Sequence, residues 1–200
     1  MNTLAHGDGT MAGNTNDGGV RPDNRWRIAG WGLLALLLLL PAVAMQFSDE
    51  VNWGATDFIV MGALLAGVGG AMELGVRMSG KIAYRAGFGI AVLAAFLLVW
   101  VNLAVGIIGA EDNPANLMYA GVLAVGGIGA FMARFRPAGM ARAMFAAAAA
   151  VAVVGAIALV AGLDDRVVVV LMNGIFVALF AASALQFRVA ARGEAHQAAA

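Results

Sequence analysis

Three polar residues inside long apolar stretches are the positions where this sequence could place side-chain chemistry. Asn102 and Asn173 lie well within such stretches, and Glu73 lies four residues before Arg77. Because charged and amide groups are costly in hydrocarbon, they mark either a polar site or bonds between helices. The spacing of Glu73 and Arg77 also fits an ion pair on one helix face. We take Asn102, Asn173 and Glu73 as a candidate intramembrane site, with interhelical bonding as the alternative.

The residue types that most catalytic mechanisms need are absent from these stretches. His6 and His196 lie near the two ends of the chain, and the sequence contains no cysteine. Haem ligation through histidine, a serine–histidine dyad and thiolate chemistry are therefore excluded within the apolar stretches. Neither an HExxH zinc motif nor a phosphate-binding glycine loop is present. The sequence predicts a protein that is not an enzyme and uses no metal or cofactor.

The composition excludes an ordinary soluble domain. Hydrophobic residues make up 62% of the chain and charged residues 12%, and the mean hydropathy is +0.86. The 12 basic and 12 acidic residues cancel, so no net charge would attract nucleic acid. The predicted partner of most of the chain is the lipid bilayer.

Charged clusters separate six apolar stretches, each close to the roughly 20 residues that a helix needs to cross a bilayer. The sequence therefore predicts an all-α membrane bundle of six transmembrane helices over residues 25–188, between a disordered tail (1–24) and a short tail (189–200). The first stretch also resembles a signal peptide that would be cleaved after Ala42-Val43-Ala44. The predicted spans are Ile28–Phe47, Ala55–Val76, Ala86–Ile108, Pro114–Phe135, Met140–Gly162 and Val167–Phe187.

The basic residues predict the orientation of these spans. Eleven of the 12 lie in every second connection or at the chain ends, whereas the remaining connections carry pairs of acids. Short loops rich in Lys and Arg stay in the cytoplasm, so both termini are predicted to be cytoplasmic. The acidic pairs could gather cations at the opposite side, or simply solvate the loops; they are Asp49/Glu50, Glu111/Asp112 and Asp164/Asp165.

Small residues predict how the helices pack. Glycines of the second helix align with those of the fourth at an offset of 59 residues, which suggests three tandem helical hairpins. Small residues on one face let helix backbones approach closely, either within one chain or in a complex with a second copy or another membrane protein. The residues selected on this basis are Gly67, Ala71, Gly75, Gly126 and Gly129.

Three polar residues stand at predicted helix starts. Asp57, Asn113 and Asp165 each precede or open an apolar stretch, and Pro114 follows Asn113 directly. Such side chains accept hydrogen bonds from the free N–H groups of a first helical turn, and proline is tolerated there. We therefore predict helix N-caps at all three positions.

Three segments carry a resemblance to other proteins: Ala83–Ala86, Phe96–Asn102 and Glu111–Tyr119. Across roughly residues 51–161 the chain resembles an uncharacterised group of small bacterial multi-pass inner membrane proteins. The resemblance implies the bacterial inner (cytoplasmic) membrane and brings no activity with it. Together with the missing catalytic motifs, this favours a non-enzymatic membrane component or interaction protein. A small-solute or ion permease is the alternative.

Overall fold

The described part of the chain is helical apart from short connections. The computed structural model describes residues 24–48 and 51–199, so the predicted disordered tail and the acids Asp49 and Glu50 lie outside it, except for Asn24. This part forms six α-helices and one 3₁₀ turn, with no strand. All six are long and apolar enough to cross a membrane. The prediction of an all-α six-helix bundle is confirmed, and the chain is a multi-pass integral membrane protein.

Each α-helix overlaps one predicted span, but several of the helix ends differ from the predicted ones. Pro41 lies inside α1 near its end, and Pro137 opens α5, where its missing N–H has no helical partner to lose. The elements are α1 Asn24–Ala44, α2 Ala55–Met78, α3 Ile82–Ala104, the 3₁₀ turn Pro114–Leu117, α4 Met118–Met132, α5 Pro137–Ala161 and α6 Arg166–Ala199.

The third helix ends earlier than predicted. The prediction extended it to Ile108, but α3 stops at Ala104 and the chain turns through Gly106, whose φ is +76°. Only glycine adopts this conformation without strain. Ile107 and Ile108 are then almost fully buried in the loop rather than in a helix. The apolar run therefore continues past the helix because the loop itself enters the core.

The sixth helix is longer than predicted. It continues to Ala199, whereas the sequence predicted a span that ends at Phe187 and a short tail over residues 189–200. At 1.5 Å per residue its 34 residues span about 51 Å, well beyond the roughly 30 Å of hydrocarbon in a bilayer. The ammonium of Lys81 lies 3.4 Å from a carboxylate oxygen of Glu194, and this ion pair links the C-terminal part of α6 to the start of α3.

The helices pack around α5 and α6. These two form the most extensive contact, α4 lies against α5, and α3 lies against α6. The core between them is filled by side chains with no exposed surface: Ala94, Leu98, Ala147, Val151, Ala158, Val169 and Phe187. The α2 helix packs on the outside of α3, and α1 packs chiefly against α2. We call α3–α6 the four-helix core and α1–α2 the peripheral hairpin.

The middle pair departs from the suggestion of three tandem hairpins. The contact between α3 and α4 is slight, and α3 packs mainly against α6. The hydroxyl of Ser183 on α6 donates to the carbonyl of Gly87 on α3 at 2.7 Å. A Cβ at Gly87 would lie 3.1 Å from the carbonyl oxygen of Ser183, so a larger residue there would push the two helices slightly apart. We call the end carrying the α3–α4 and α5–α6 connections the acidic end, and the opposite one the basic end.

Candidate functional site

Asn173 joins two helices inside the four-helix core. Its Oδ1 accepts a hydrogen bond from the hydroxyl of Tyr119 at 2.9 Å, and its Nδ2 donates to the carbonyl of Val169 at 2.9 Å. Gly155 on α5 leaves room for the pair, since a Cβ there would lie 3.0 Å from Cγ of Asn173. Because both ends of the amide have partners, Asn173 holds α4 to α6.

Glu73 anchors the first helix to the second at the basic end. One carboxylate oxygen accepts from Arg27 Nη2 at 2.8 Å, from Arg27 Nε at 3.2 Å and from the indole N–H of Trp31 at 3.0 Å. The expected partner Arg77 lies 3.5 Å from the other oxygen. We call these four residues the α1–α2 clasp. Glu73 thus has a structural role between helices and does not meet Asn173.

Asn116 organises the connection between α3 and α4. Its Oδ1 accepts from the backbone N–H groups of Ile107 at 3.2 Å and Ile108 at 3.0 Å, and its Nδ2 donates to the carbonyl of Ala110 at 2.8 Å. The side chain is buried, so these bonds are shielded from solvent. At the offset of 59 residues that relates α2 to α4, Asn116 corresponds to Asp57, but this spacing does not reveal the hydrogen-bond partners of Asn116.

Asn102 is the candidate residue that keeps an unused polar atom. Its Nδ2 donates to the backbone carbonyl of Asn116 at 3.1 Å. Its Oδ1 is shielded from solvent and accepts no hydrogen bond. Unpaired acceptors are uncommon in native interiors, because each one loses the hydrogen bonds that water gave it. Asn102 therefore differs from Asn173 and Glu73, whose polar atoms are engaged.

A cleft of about 470 Å³ lies beside Asn102, where α3 and α4 separate near the acidic end. Its walls are mainly apolar side chains from these two helices and from the 3₁₀ turn. Leu103 and Leu117 are exposed at its edge, and Glu111 and Asp112 are the charged residues that line it. The lining residues are Leu98, Val99, Asn102, Leu103, Glu111, Asp112, Asn113, Pro114, Asn116, Leu117, Tyr119, Ala120 and Leu123.

Two predicted caps stand at helix starts, and the third lies one turn inside. Asn113 accepts from Ala115 N at 3.0 Å, and Asp165 accepts from Val167 N at 2.8 Å. Asp57 is not the N-cap of α2, since the cap position is occupied by Gly54. The Asp57 carboxylate instead accepts from Gly54 N at 2.8 Å. An acid in the third helical position can satisfy the amide of the cap residue, which is the bond seen here.

The glycines of α4 pack against α5. A Cβ at Gly126 would lie 3.6 Å from Cβ of Ala147, and a Cβ at Gly129 would lie 2.8 Å from Cβ of Ala143. On α2, Gly75 makes a similar close contact, with a Cβ position 2.5 Å from the ring of Phe88 on α3. These glycines allow neighbouring helices to approach.

Gly67 does not share this role. A Cβ at Gly67 or at Gly70 would meet no atom within 4 Å, and both residues are exposed on α2. Ala71, the other small residue predicted on this helix, is partly buried against the core. The spacing therefore predicted packing at Gly67 that the described helices do not provide.

The two acidic loops meet at one point. Asp164 in the α5–α6 connection accepts from Gly109 N in the α3–α4 connection at 2.7 Å, and from Asp165 N at 2.6 Å. These backbone hydrogen bonds, first that from Gly109, lower the pKa of the Asp164 carboxyl. Within residues 24–48 and 51–199, no group of three metal-binding side chains is brought together.

Comparison with known proteins adds no family to this description. No protein-family model matches the chain, and searches of curated proteins and of solved structures return no match. The resemblance to small bacterial inner membrane proteins therefore stays a prediction.

Proposed function

We propose that this integral membrane protein is non-enzymatic and acts through association with a second copy of itself along α2. The observation that carries the proposal is an exposed face of α2 formed by Ala63, Gly67, Gly70 and Leu74. We call it the α2 face. At the offset of 59 residues it corresponds to Val122, Gly126 and Gly129 on α4 and to Ala133 directly after α4.

The corresponding face of α4 is where a neighbouring helix packs. Val122 and Gly126 are buried, and Gly129 is in close contact with Ala143 of α5. The two faces share their glycine pair, but a helix packs on the α4 face, whereas no helix among the described residues packs on the α2 face. The internal comparison supports a helix-binding role for the α2 face.

The energetics of glycine point the same way. Glycine inside a helix costs roughly 0.5–1 kcal/mol relative to alanine, because its backbone loses more freedom. At Gly69 and Gly75 the cost is offset by close contacts with Trp31 and Phe88. Gly67 and Gly70 have no such contact within the chain. A helix from another copy would supply the close contact that offsets the cost of these two glycines.

A second copy fits this face by symmetry. Copies insert into the membrane with the same orientation, so a two-fold axis along the membrane normal places the two α2 helices parallel. Ala63 and Gly67, four residues apart, then face their counterparts as in other small-residue crossings. This explains why the small residues follow one stripe of the helix.

The polar residues support association over transport. Asn173 and Glu73 are engaged in bonds between helices, and the four-helix core is filled with apolar side chains. We expect no flux of ions or small solutes when the protein is reconstituted in liposomes. Flux that is lost on Asn102→Leu would replace the present proposal with a permease.

Disulfide cross-linking tests the dimer directly, because the natural sequence has no cysteine. Gly67→Cys on the α2 face should form cross-linked dimers in membranes, whereas Ile128→Cys on the exposed side of α4 should not. Adding Gly70→Leu should abolish cross-linking at position 67, and the matched change Gly127→Leu should leave it intact, since Cβ atoms at both glycines have open space. Equal cross-linking from positions 67 and 128, or no effect of Gly70→Leu, would rule out the α2 dimer.

We also propose that the basic end faces the cytoplasm of a bacterial cell, as the arginine and lysine clusters favour. A membrane-impermeant thiol reagent added to intact cells should label Asp112→Cys and leave Gly80→Cys unlabelled. Labelling of Gly80→Cys alone would reverse the orientation.

A further inference from the structure

We propose that the cleft between α3 and α4 binds an amphipathic molecule that carries a primary ammonium group on an apolar body. This site is separate from the α2 face, since none of the cleft residues lies on α2. Three features of the cleft support the proposal: its size and apolar walls, the sign of its charge, and the unused oxygen of Asn102.

The cleft has the dimensions of a ligand site. Its volume of about 470 Å³ lies within the roughly 300–1,000 Å³ of sites for small molecules. Leu98, Val99 and Leu123 form its deeper wall, and the gap between α3 and α4 opens past Leu103. A hydrocarbon chain would fill this space and make van der Waals contact with its apolar walls.

The polar part of the cleft is negative. Glu111 and Asp112 line it, both are exposed, and neither makes a hydrogen bond or ion pair with another described residue. No Lys or Arg is among the lining residues. Such a site favours a cation over an anion. The anionic head group of a phosphatidylglycerol is thereby disfavoured.

Asn102 explains why the cation should carry N–H groups. Its Oδ1 is shielded from solvent and lacks a donor, while other atoms of the residue line the cleft. In the proposed complex the amide gives up its hydrogen bond to the carbonyl of Asn116 and turns, so that this oxygen accepts from the ligand. An ammonium donates strong hydrogen bonds to such an acceptor, whereas a quaternary amine has no N–H to donate.

Two sources present the same chemistry: the ethanolamine head group of a phospholipid and a free amphipathic amine. Native mass spectrometry of the full-length protein from mixed micelles separates them. The micelles contain phosphatidylethanolamine, phosphatidylcholine and phosphatidylglycerol with identical acyl chains in equal amounts. We expect one phosphatidylethanolamine per chain, retained roughly tenfold more than phosphatidylcholine, the factor that one charge-assisted hydrogen bond gives.

Dodecylamine tests the second source in lipid-free detergent. If it binds and displaces phosphatidylethanolamine, the head group and the amine share the cleft. If it binds while phosphatidylethanolamine is not retained, the ligand is a free amine. Both outcomes support an ammonium site. Equal retention of the three lipids with no binding of dodecylamine, or preferred retention of phosphatidylglycerol, would overturn it.

Variants locate the binding in the cleft. Ala120→Leu fills the cleft without touching the polar groups, and should remove the preference for phosphatidylethanolamine and the binding of dodecylamine. Ala124→Leu, one turn further along the exposed side of α4 and outside the lining, is the matched control. Glu111→Gln with Asp112→Asn should weaken dodecylamine binding severalfold, whereas Asp57→Asn elsewhere at the acidic end should not. Identical binding by Ala120→Leu and Ala124→Leu would show that the ligand lies elsewhere.

Discussion

Tyr119 and Asn173 form a buried side-chain hydrogen bond between α4 and α6. The change Tyr119→Phe keeps the ring and removes the donor, so Oδ1 of Asn173 stays buried without its partner. We expect the free energy of unfolding to fall by about 1–2 kcal/mol, as for other polar pairs between membrane helices. Unfolding in mixed micelles, followed by far-ultraviolet circular dichroism, measures this change.

A double-mutant cycle with Asn173→Ala distinguishes the hydrogen bond from a general loss of packing. If the bond contributes, Tyr119→Phe costs less when Asn173 is already alanine. An equal cost in both backgrounds would mean that Tyr119 stabilises the core through its ring alone.

Asp164 predicts a dependence of stability on pH at the acidic end. Its carboxylate accepts from the backbone amides of Gly109 and Asp165, and these bonds lower its pKa. Because the pKa is lower in the folded state, the stabilisation is complete above the unfolded-state pKa and is lost as pH falls through the folded-state value. Between about pH 5 and about pH 2.5, the unfolding temperature of the natural protein should fall more than that of Asp164→Asn, which cannot titrate at this position. Parallel curves for the two proteins would contradict this assignment.

The sequence predicted where polar residues lie along the helices better than it predicted their hydrogen-bond partners. Capping is local, so Asn113 and Asp165 could be placed at helix starts from spacing alone. Asn116 bonds to Ile107 and Ile108, and this depends on how the connection folds back into the core. No spacing rule specifies such a bond, because it forms only after α3 and α4 have taken their positions.

At the level of the helix, Gly129 tests the packing of α4 on α5. A Cβ at Gly129 would lie 2.8 Å from Cβ of Ala143, so Gly129→Ala forces the helices apart. We expect a loss of about 1–3 kcal/mol in the free energy of unfolding, the usual cost of overpacking. Gly127→Ala, two residues away with open space, should be neutral or stabilise by up to about 1 kcal/mol through helix propensity. Equal effects of the two changes would show that α4 and α5 adjust freely at this contact.

Helix number followed from hydropathy, whereas helix ends did not. The number could be predicted because each crossing needs a long apolar run, and charged residues bound these runs. The end of α3 escaped prediction because Ile107 and Ile108 are apolar loop residues, indistinguishable by hydropathy from a helix. The end of α6 escaped it because the helix continues beyond the apolar run to the ion pair of Glu194 with Lys81.

Across the whole molecule, burial decreases from α5 to α1. Of the most apolar 18-residue segment of each helix, 44% is buried in α5, 22% in α2 and none in α1. The four-helix core thus holds itself together, whereas the peripheral hairpin depends on α2–α3 packing, on the contact of Trp31 with Gly69 and on the α1–α2 clasp. Both surfaces for which we propose binding, the α2 face and the cleft, lie at edges where neighbouring helices of the same chain leave space.

This gradient predicts that the molecule opens from the peripheral hairpin. Glu73→Gln weakens the charged bonds to Arg27 and Arg77 and keeps a similar shape, so α1 should separate from α2 more often. Hydrogen exchange in detergent should speed up severalfold in α1 and remain unchanged in α5. Arg166→Gln, which removes a charge that makes no ion pair within the described residues, is the control and should alter neither helix. A uniform increase across α1 and α5 with Glu73→Gln would mean that the six helices unfold as one cooperative unit, and that the clasp contributes to the stability of the whole bundle rather than to the hairpin alone.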